Sequence, residues 1–181
     1  GHVPDAVGLP AALRSGIGSI EHLSGYEMLA TKEVGPREEA SWARLDESRF
    51  ASIARETAES GTWNCPTLVL FQHRVAPGES EYVRKLLARP EVKYVSAQIL
   101  RSWLPENNFM KNSTPARAAG SRGQGDVMRK KLVKALHDAG GRLLLGTDYG
   151  NPFVVPGFSL QRELQNFVDA GLSPYEAIRA G

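Results

Sequence analysis

The sequence predicts an α/β fold in which strand–helix units lie on a parallel sheet. Three observations predict it. Short apolar runs alternate with segments of helical periodicity, the order that strand–helix units produce. The segment LLLGTDYGNP closes an apolar run on Asp148, and in parallel α/β sheets the carboxyl ends of strands are where sites gather. Composition is that of a globular chain, with 41% hydrophobic and 23% charged residues.

The elements follow in order. Residues 1–3 read as the stub of a strand, and residues 17–23 (IGSIEHL) as a short buried strand. Residues 46–60 (DESRFASIARETAES) place Phe50, Ile53, Ala54, Thr57 and Ala58 on one helical face, with Asp46 as N-cap and Gly61 just past the end. Residues 62–71 (TWNCPTLVLF) read as the next strand, with Pro66 marking an irregular beginning. Residues 72–125 are expected to be an irregular insertion holding one short helix at 79–89. Its tail, residues 111–125 (KNSTPARAAGSRGQG), is a basic Gly/Ser/Pro loop that suits either a lid or a disordered excursion.

Regular order then returns. Residues 126–139 carry Met128, Leu132, Ala135, Leu136 and Ala139 on one side of a helix, which Gly140 and Gly141 end. A strand at 142–147 leads to Asp148. Residues 159–170 form a helix predicted to turn Leu160, Leu164, Phe167 and Val168 inward, with Gly171 as cap. Ser173, Pro174 and Glu176 make a capping box that opens a last helix. Three strands and a stub are too few to close a barrel, so residues 1–181 are expected to be one part of a larger domain.

Several function classes are excluded or left open by composition. A net charge of +2 is too small for a nucleic-acid or membrane surface. The basic loop at 111–122 lacks interleaved aromatics, so no nucleic acid is expected as a partner. No run approaches the ~18 apolar residues of a membrane span. A soluble protein is expected, with cytoplasmic, periplasmic and secreted locations all open. Cys65 stands alone, so no internal disulfide can form. An open sheet edge would favour a homo-oligomer.

His2, His22 and Asp148 each fall at or near the downstream end of a predicted strand, and those ends share one face of a parallel array. Two imidazoles and a carboxylate suit a divalent metal such as zinc. A bound cation lowers the pKa of its water toward ~7, and an aspartate beside it can move the proton to a leaving group. A histidine at a strand end serves equally well as a hydrogen-bonded structural residue, and Asp148 as a turn cap. Spacing alone leaves both readings open. His73 and Arg74 follow the predicted strand at 62–71 and could meet a substrate carboxylate or carbonyl. Asn151 and the turn at 153–157 could shape a pocket wall. His137 reads as a surface residue, and Trp42, Trp63 and Trp103 as packing.

Two stretches carry a resemblance. GHVPDAVGLPAALRSGIGSIEHLSGY and, far downstream, LHDAGGRLLLGTDYGNPFVVPGFSLQRELQNFVDAGLSPYEAIRAG resemble the second half of an amidohydrolase-superfamily enzyme, of the imidazolonepropionase-like and prolidase-like metal-dependent hydrolases. The resemblance implies part of a TIM-type (β/α)8 barrel, approximately strands five to eight with their helices, with residues 62–71 as the seventh strand and 72–125 as an insertion before the eighth. It implies His2 and His22 as metal ligands and Asp148 as both ligand and catalytic residue, with one or two zinc ions as cofactor. His73, Arg74 and Asn151 would bind substrate. The family's His-x-His pair is absent from this sequence, and the chain starts where the fifth strand should be, so a fragment of a larger enzyme is expected.

The function expected on this basis is metal-dependent hydrolysis of a carbon–nitrogen bond in a small amide, cyclic amide or dipeptide-like substrate. Ester or phosphotriester hydrolysis on the same scaffold, and an inactive piece with a binding or assembly role, are the alternatives.

Overall fold

A computed structural model describes residues 1–30 and 39–181. Its sheet has three parallel strands, β1 (Ser19–Glu21), β2 (Trp63–Cys65) and β3 (Arg142–Leu143), in the order β1-β2-β3. Ser19 pairs with Trp63 and Glu21 with Cys65, while Trp63 pairs on its other side with Arg142. The N-terminal stub lies along the outer edge of β1. The Gly1 amino group donates to Ser19 O at 2.8 Å, and the Gly1 carbonyl accepts from Glu21 N–H at 3.0 Å.

Ten α-helices surround this sheet among the described residues: α1 (Leu9–Arg14), α2 (Tyr26–Ala30), α3 (Phe50–Ser60), α4 (Leu68–Gln72), α5 (Ser80–Leu87), α6 (Ala97–Trp103), α7 (Pro115–Arg122), α8 (Gln124–Asp138), α9 (Phe158–Asp169) and α10 (Pro174–Arg179). The expected architecture is thereby corrected. The chain is mostly helical around a small parallel sheet and is not strands five to eight of a (β/α)8 barrel.

The two downstream strands stop early for identifiable reasons. Pro66 has no N–H to give a ladder, and Thr67 turns the chain with φ of 49°. The apolar run Leu68–Phe71 then coils into α4, with all four residues buried. A fully buried helix and a fully buried strand write the same unbroken apolar pattern, which is why the run reads as strand. At the other site Leu144 N–H still bonds Asn64 O at 2.8 Å, but Leu145 N–H turns away to Ala180 O at 2.7 Å, tying the chain to the end of α10.

The stretch expected to be irregular is largely helical as well. Within 72–125 lie α5, α6 and α7, and the basic loop contains α7. Thr114 caps that helix, its hydroxyl accepting from Arg117 N–H at 3.3 Å, and Pro115 occupies the first turn. A small core of Val75, Leu86, Trp103, Phe153 and Val155 fastens this part to the turn after Asp148.

The main core joins Ile20 and Leu23 from around β1, Phe50, Ile53 and Ala54 from α3, and Leu132 and Leu136 from α8. Helix α3 matches its expected face and its Gly61 cap, which sits at φ of 69°. Helix α9 does not. It buries Ser159, Glu163, Asn166 and Phe167 and leaves Leu160 43% exposed. The polar side is turned inward because each member finds a partner. Ser159 Oγ donates to Val155 O at 2.6 Å, and Asn166 exchanges hydrogen bonds with Gln72. The capping box of Ser173 and Glu176 on α10 is present. Trp42 and Trp103 are buried packing residues, whereas Trp63 is exposed with the Arg142 guanidinium 5.5 Å from its ring. Among the described residues no helix is long and apolar enough to cross a membrane.

Candidate active site

At the carboxyl end of the sheet, three chain exits bend in the same unusual way. His22 follows β1 at φ of 61°, Thr67 follows β2 at φ of 49°, and Asp148 follows β3 at φ of 55°. None is glycine, and a side chain in this left-handed region costs on the order of 1–2 kcal/mol. Such strain persists only where surrounding structure enforces it, and it collects at functional sites. Here the enforcement is visible. His22 N–H still bonds Cys65 O at 2.9 Å, so the histidine is held to the ladder while its side chain is thrown over the strand ends. Helix α4, which begins right after Thr67, is clamped at its start by the Glu163 carboxylate, which accepts from Leu68 N–H at 2.6 Å and Val69 N–H at 2.7 Å.

The result is a cluster. The His2 and His22 rings lie 4.7 Å apart between centroids, tilted by 54°. His22 Nε2 is 3.6 Å from Asp148 Oδ2. Its other nitrogen, Nδ1, is 2.7 Å from Thr67 Oγ1, which fixes the ring's orientation. The Asn151 side-chain amide donates to Asp148 Oδ2 at 2.8 Å and to Asp148 O at 3.0 Å, holding the carboxylate in a tight turn. Burial lowers the His22 pKa; the Asp148 charge pulls it the other way. The neutral imidazole is therefore favoured, the form that offers a lone pair.

His2, His22, Arg74, Asp148 and Asn151 all line one cavity of about 530 Å³. Trp42, Leu70, Phe71 and Phe109 form its apolar surface. His73 does not reach it. That side chain is 6% exposed at the end of α4, and its Nε2 accepts from Arg89 Nη1 at 2.9 Å. Burial and the neighbouring Arg89 charge push its pKa down to about 3. It is a neutral structural acceptor, so the expected substrate role for His73 is withdrawn. The turn at 153–157 is likewise not cavity wall: Phe153, Val154 and Val155 are buried in small apolar clusters. His137 lies on α8 with Nε2 3.3 Å from Glu176 Oε1.

The donor chemistry of His2, His22 and Asp148 fits a borderline cation such as zinc. As placed, no three His, Cys, Asp or Glu side chains among the described residues close around a metal position. His2 and Asp148 are exposed, while His22 is the better-fixed member through Thr67. Cys65 does not join them. Burial, with the Glu21 carboxylate beside it, pushes the thiol up to about 12.

Two contributors escape sequence reasoning. Thr67 sits inside what reads as a strand, and only its place after Pro66 hints at a turn. Glu163 stands three residues after Leu160 and four before Phe167, in step with the apolar face, and it escapes because a carboxylate is rarely buried.

No family model matches the chain, and no curated protein matches it. Among solved structures, one described as a bottromycin amidohydrolase is similar, with a TM-score of 0.62 and 29% sequence identity over 99% of this chain. The matched region spans 40% of that structure's length.

Proposed function

We propose that this end of the sheet is the catalytic centre of a metal-assisted hydrolase acting on carbon–nitrogen bonds in a small amide or peptide-like substrate. The observation that carries the reading is the meeting of His2, His22 and Asp148 over three strand exits that share left-handed backbone, inside one cavity. The likeness to a structure described as an amidohydrolase supports it, as does the resemblance of the two quoted stretches to imidazolonepropionase-like and prolidase-like enzymes.

His2, His22 and Asp148 would hold the cation, with zinc the best chemical match. When bound, it would supply Lewis acidity to the scissile carbonyl and to the attacking water. The chain's own groups do the rest. With its Nδ1 engaged by the Thr67 hydroxyl, His22 is left with Nε2 facing Asp148. Asp148 takes a proton from water as it attacks and returns it to the departing nitrogen, while Asn151 keeps the carboxylate aimed.

Two measurements test this reading. Titration of the purified chain with zinc should show stoichiometric uptake that His22→Ala abolishes; no uptake by the wild type counts against the metal. Asp148→Asn should remove hydrolysis of N-acyl amino acid and dipeptide substrates while leaving the melting temperature near wild type, because an asparagine oxygen can still accept from Asn151. Wild-type turnover in that variant overturns the assignment.

A further inference from the structure

The apolar residues that line the cavity are not equivalent. Trp42 and Phe71 are buried, and the Arg129 guanidinium lies 4.7 Å from the first ring centroid and 3.8 Å from the second. Leu70 is buried in a small cluster with Val69 and Val154. Phe109 differs from all three. It lines the same cavity as His22 and Asp148, yet it is 56% exposed. Among the described residues its ring meets no other ring and no cation. A single exposed apolar side chain on an open surface needs no explanation. One that is braced beside a candidate catalytic centre does. The Asn108 side chain donates from Nδ2 to Trp103 O at 2.7 Å and to Leu104 O at 3.1 Å, and its Oδ1 accepts from Met110 N–H at 2.7 Å. That last bond caps the 3-10 turn Phe109–Asn112. Met110 is buried with Ala76 and Ala118, and Ser113 N–H closes the turn on Met110 O at 2.8 Å. The phenyl ring therefore stands in the open on a backbone tied down on both sides, and a ligand that meets it needs little further ordering of the chain.

We infer that Phe109 sets substrate specificity: the ligand of this cavity is an amide with a large apolar side chain, aromatic by preference, that packs on the Phe109 ring. The inference rests on the amide-hydrolase reading for the amide, and it adds the side chain. Two aromatic rings gain from offset or edge-to-face contact beyond the area they bury. Leu70, on the same cavity, supplies a second apolar contact. A volume of about 530 Å³ lies in the usual range for small-ligand sites.

The probes are N-acetyl-L-phenylalaninamide and N-acetyl-L-alaninamide, both uncharged, titrated calorimetrically into the full chain. The phenyl probe should bind at least about tenfold more tightly, as burial of an aromatic side chain implies. Phe109→Ala should erase most of that margin with the melting temperature near wild type, because an exposed ring leaves no void in a core. Phe109→Tyr should keep nearly all of the margin, and Phe109→Leu, which retains apolar area without a ring, only part. If the alanine variant does not fold, the drop from tyrosine to leucine carries the test, and equal margins in those two overturn the inference. Equal affinity of the wild type for the two probes, no binding of either, or a margin that survives Phe109→Ala overturns it as well. Because binding is read without chemistry, absence of hydrolysis beside an intact aromatic preference would count against the hydrolase reading alone.

Discussion

Removing the ionisable group at Glu163 should flatten a defined part of the stability–pH curve. The Glu163 carboxyl is fully buried, and burial outweighs the hydrogen bonds it accepts from Val69, Leu68 and Asn166, pushing its pKa from 4.5 up to about 7. A raised folded-state value means that, between those limits, the folded protein keeps a proton that the unfolded chain has released. Its contribution to stability is therefore full below pH 4.5, falls as pH rises through the window, and levels off above about pH 7. At about 1.4 kcal/mol per tenfold change in acid constant, the decline amounts to about 3 kcal/mol. Glu79, Glu91, Asp138 and Glu176 have lowered pKa values and run the opposite way. The assay must therefore be a difference. Urea unfolding of wild type and Glu163→Gln, followed from about pH 4.5 to about pH 7.5, isolates the group. Glutamine keeps one backbone acceptor and sets its amide against the other N–H, so the variant should be about 1–3 kcal/mol less stable in acid. That gap should narrow by about 3 kcal/mol toward neutrality. A gap constant across the range would refute the reasoning.

Other expectations are more local. A Cβ on Gly146 would lie 2.4 Å from Cys65 Sγ, so Gly146→Ala should cost about 1–3 kcal/mol by overpacking. Cys65→Ala should recover most of that loss in the double variant, and additive melting shifts would count against the clash. Thr67→Val keeps the branched shape but loses the contact to His22; zinc affinity or turnover should fall about 10–100-fold, as outer-shell changes do, and unchanged affinity would show the tether to be idle. His73→Phe should leave hydrolysis near wild type while costing about 1–2 kcal/mol for the stranded Arg89 donor. Loss of turnover in a folded His73→Phe protein would return that residue to the site.

What could be read from the sequence was the local and the periodic. Helix α3 with its Gly61 cap, α8, and the capping box on α10 follow from side-chain spacing and end signals that act within one or two turns. The order of the three strands' segments was legible for the same reason. The sheet's true extent was not. Leu68–Phe71 is buried on all sides, and a pattern without alternation does not distinguish strand from helix. Helix α7 was hidden by Gly and Ser in its middle, although Thr114 and Pro115 mark its start. At the site, His2, His22, Arg74, Asp148 and Asn151 come to one cavity because each lies at or just beyond a chain exit. His73 follows the same apolar run as Arg74, yet its side chain is buried against Arg89 and does not line that cavity. Both residues lie just past the end of α4, where neither helical nor strand periodicity fixes the direction of a side chain.

The left-handed bends at His22, Thr67 and Asp148 also bear on how this protein would respond to engineering. Any selection for heat resistance would find glycine attractive at these three places, since glycine occupies that backbone at no steric cost. Each such gain would delete a member of the proposed centre. Variants hardened by random mutagenesis should thus include inert ones, changed at the very positions where the native chain tolerates discomfort.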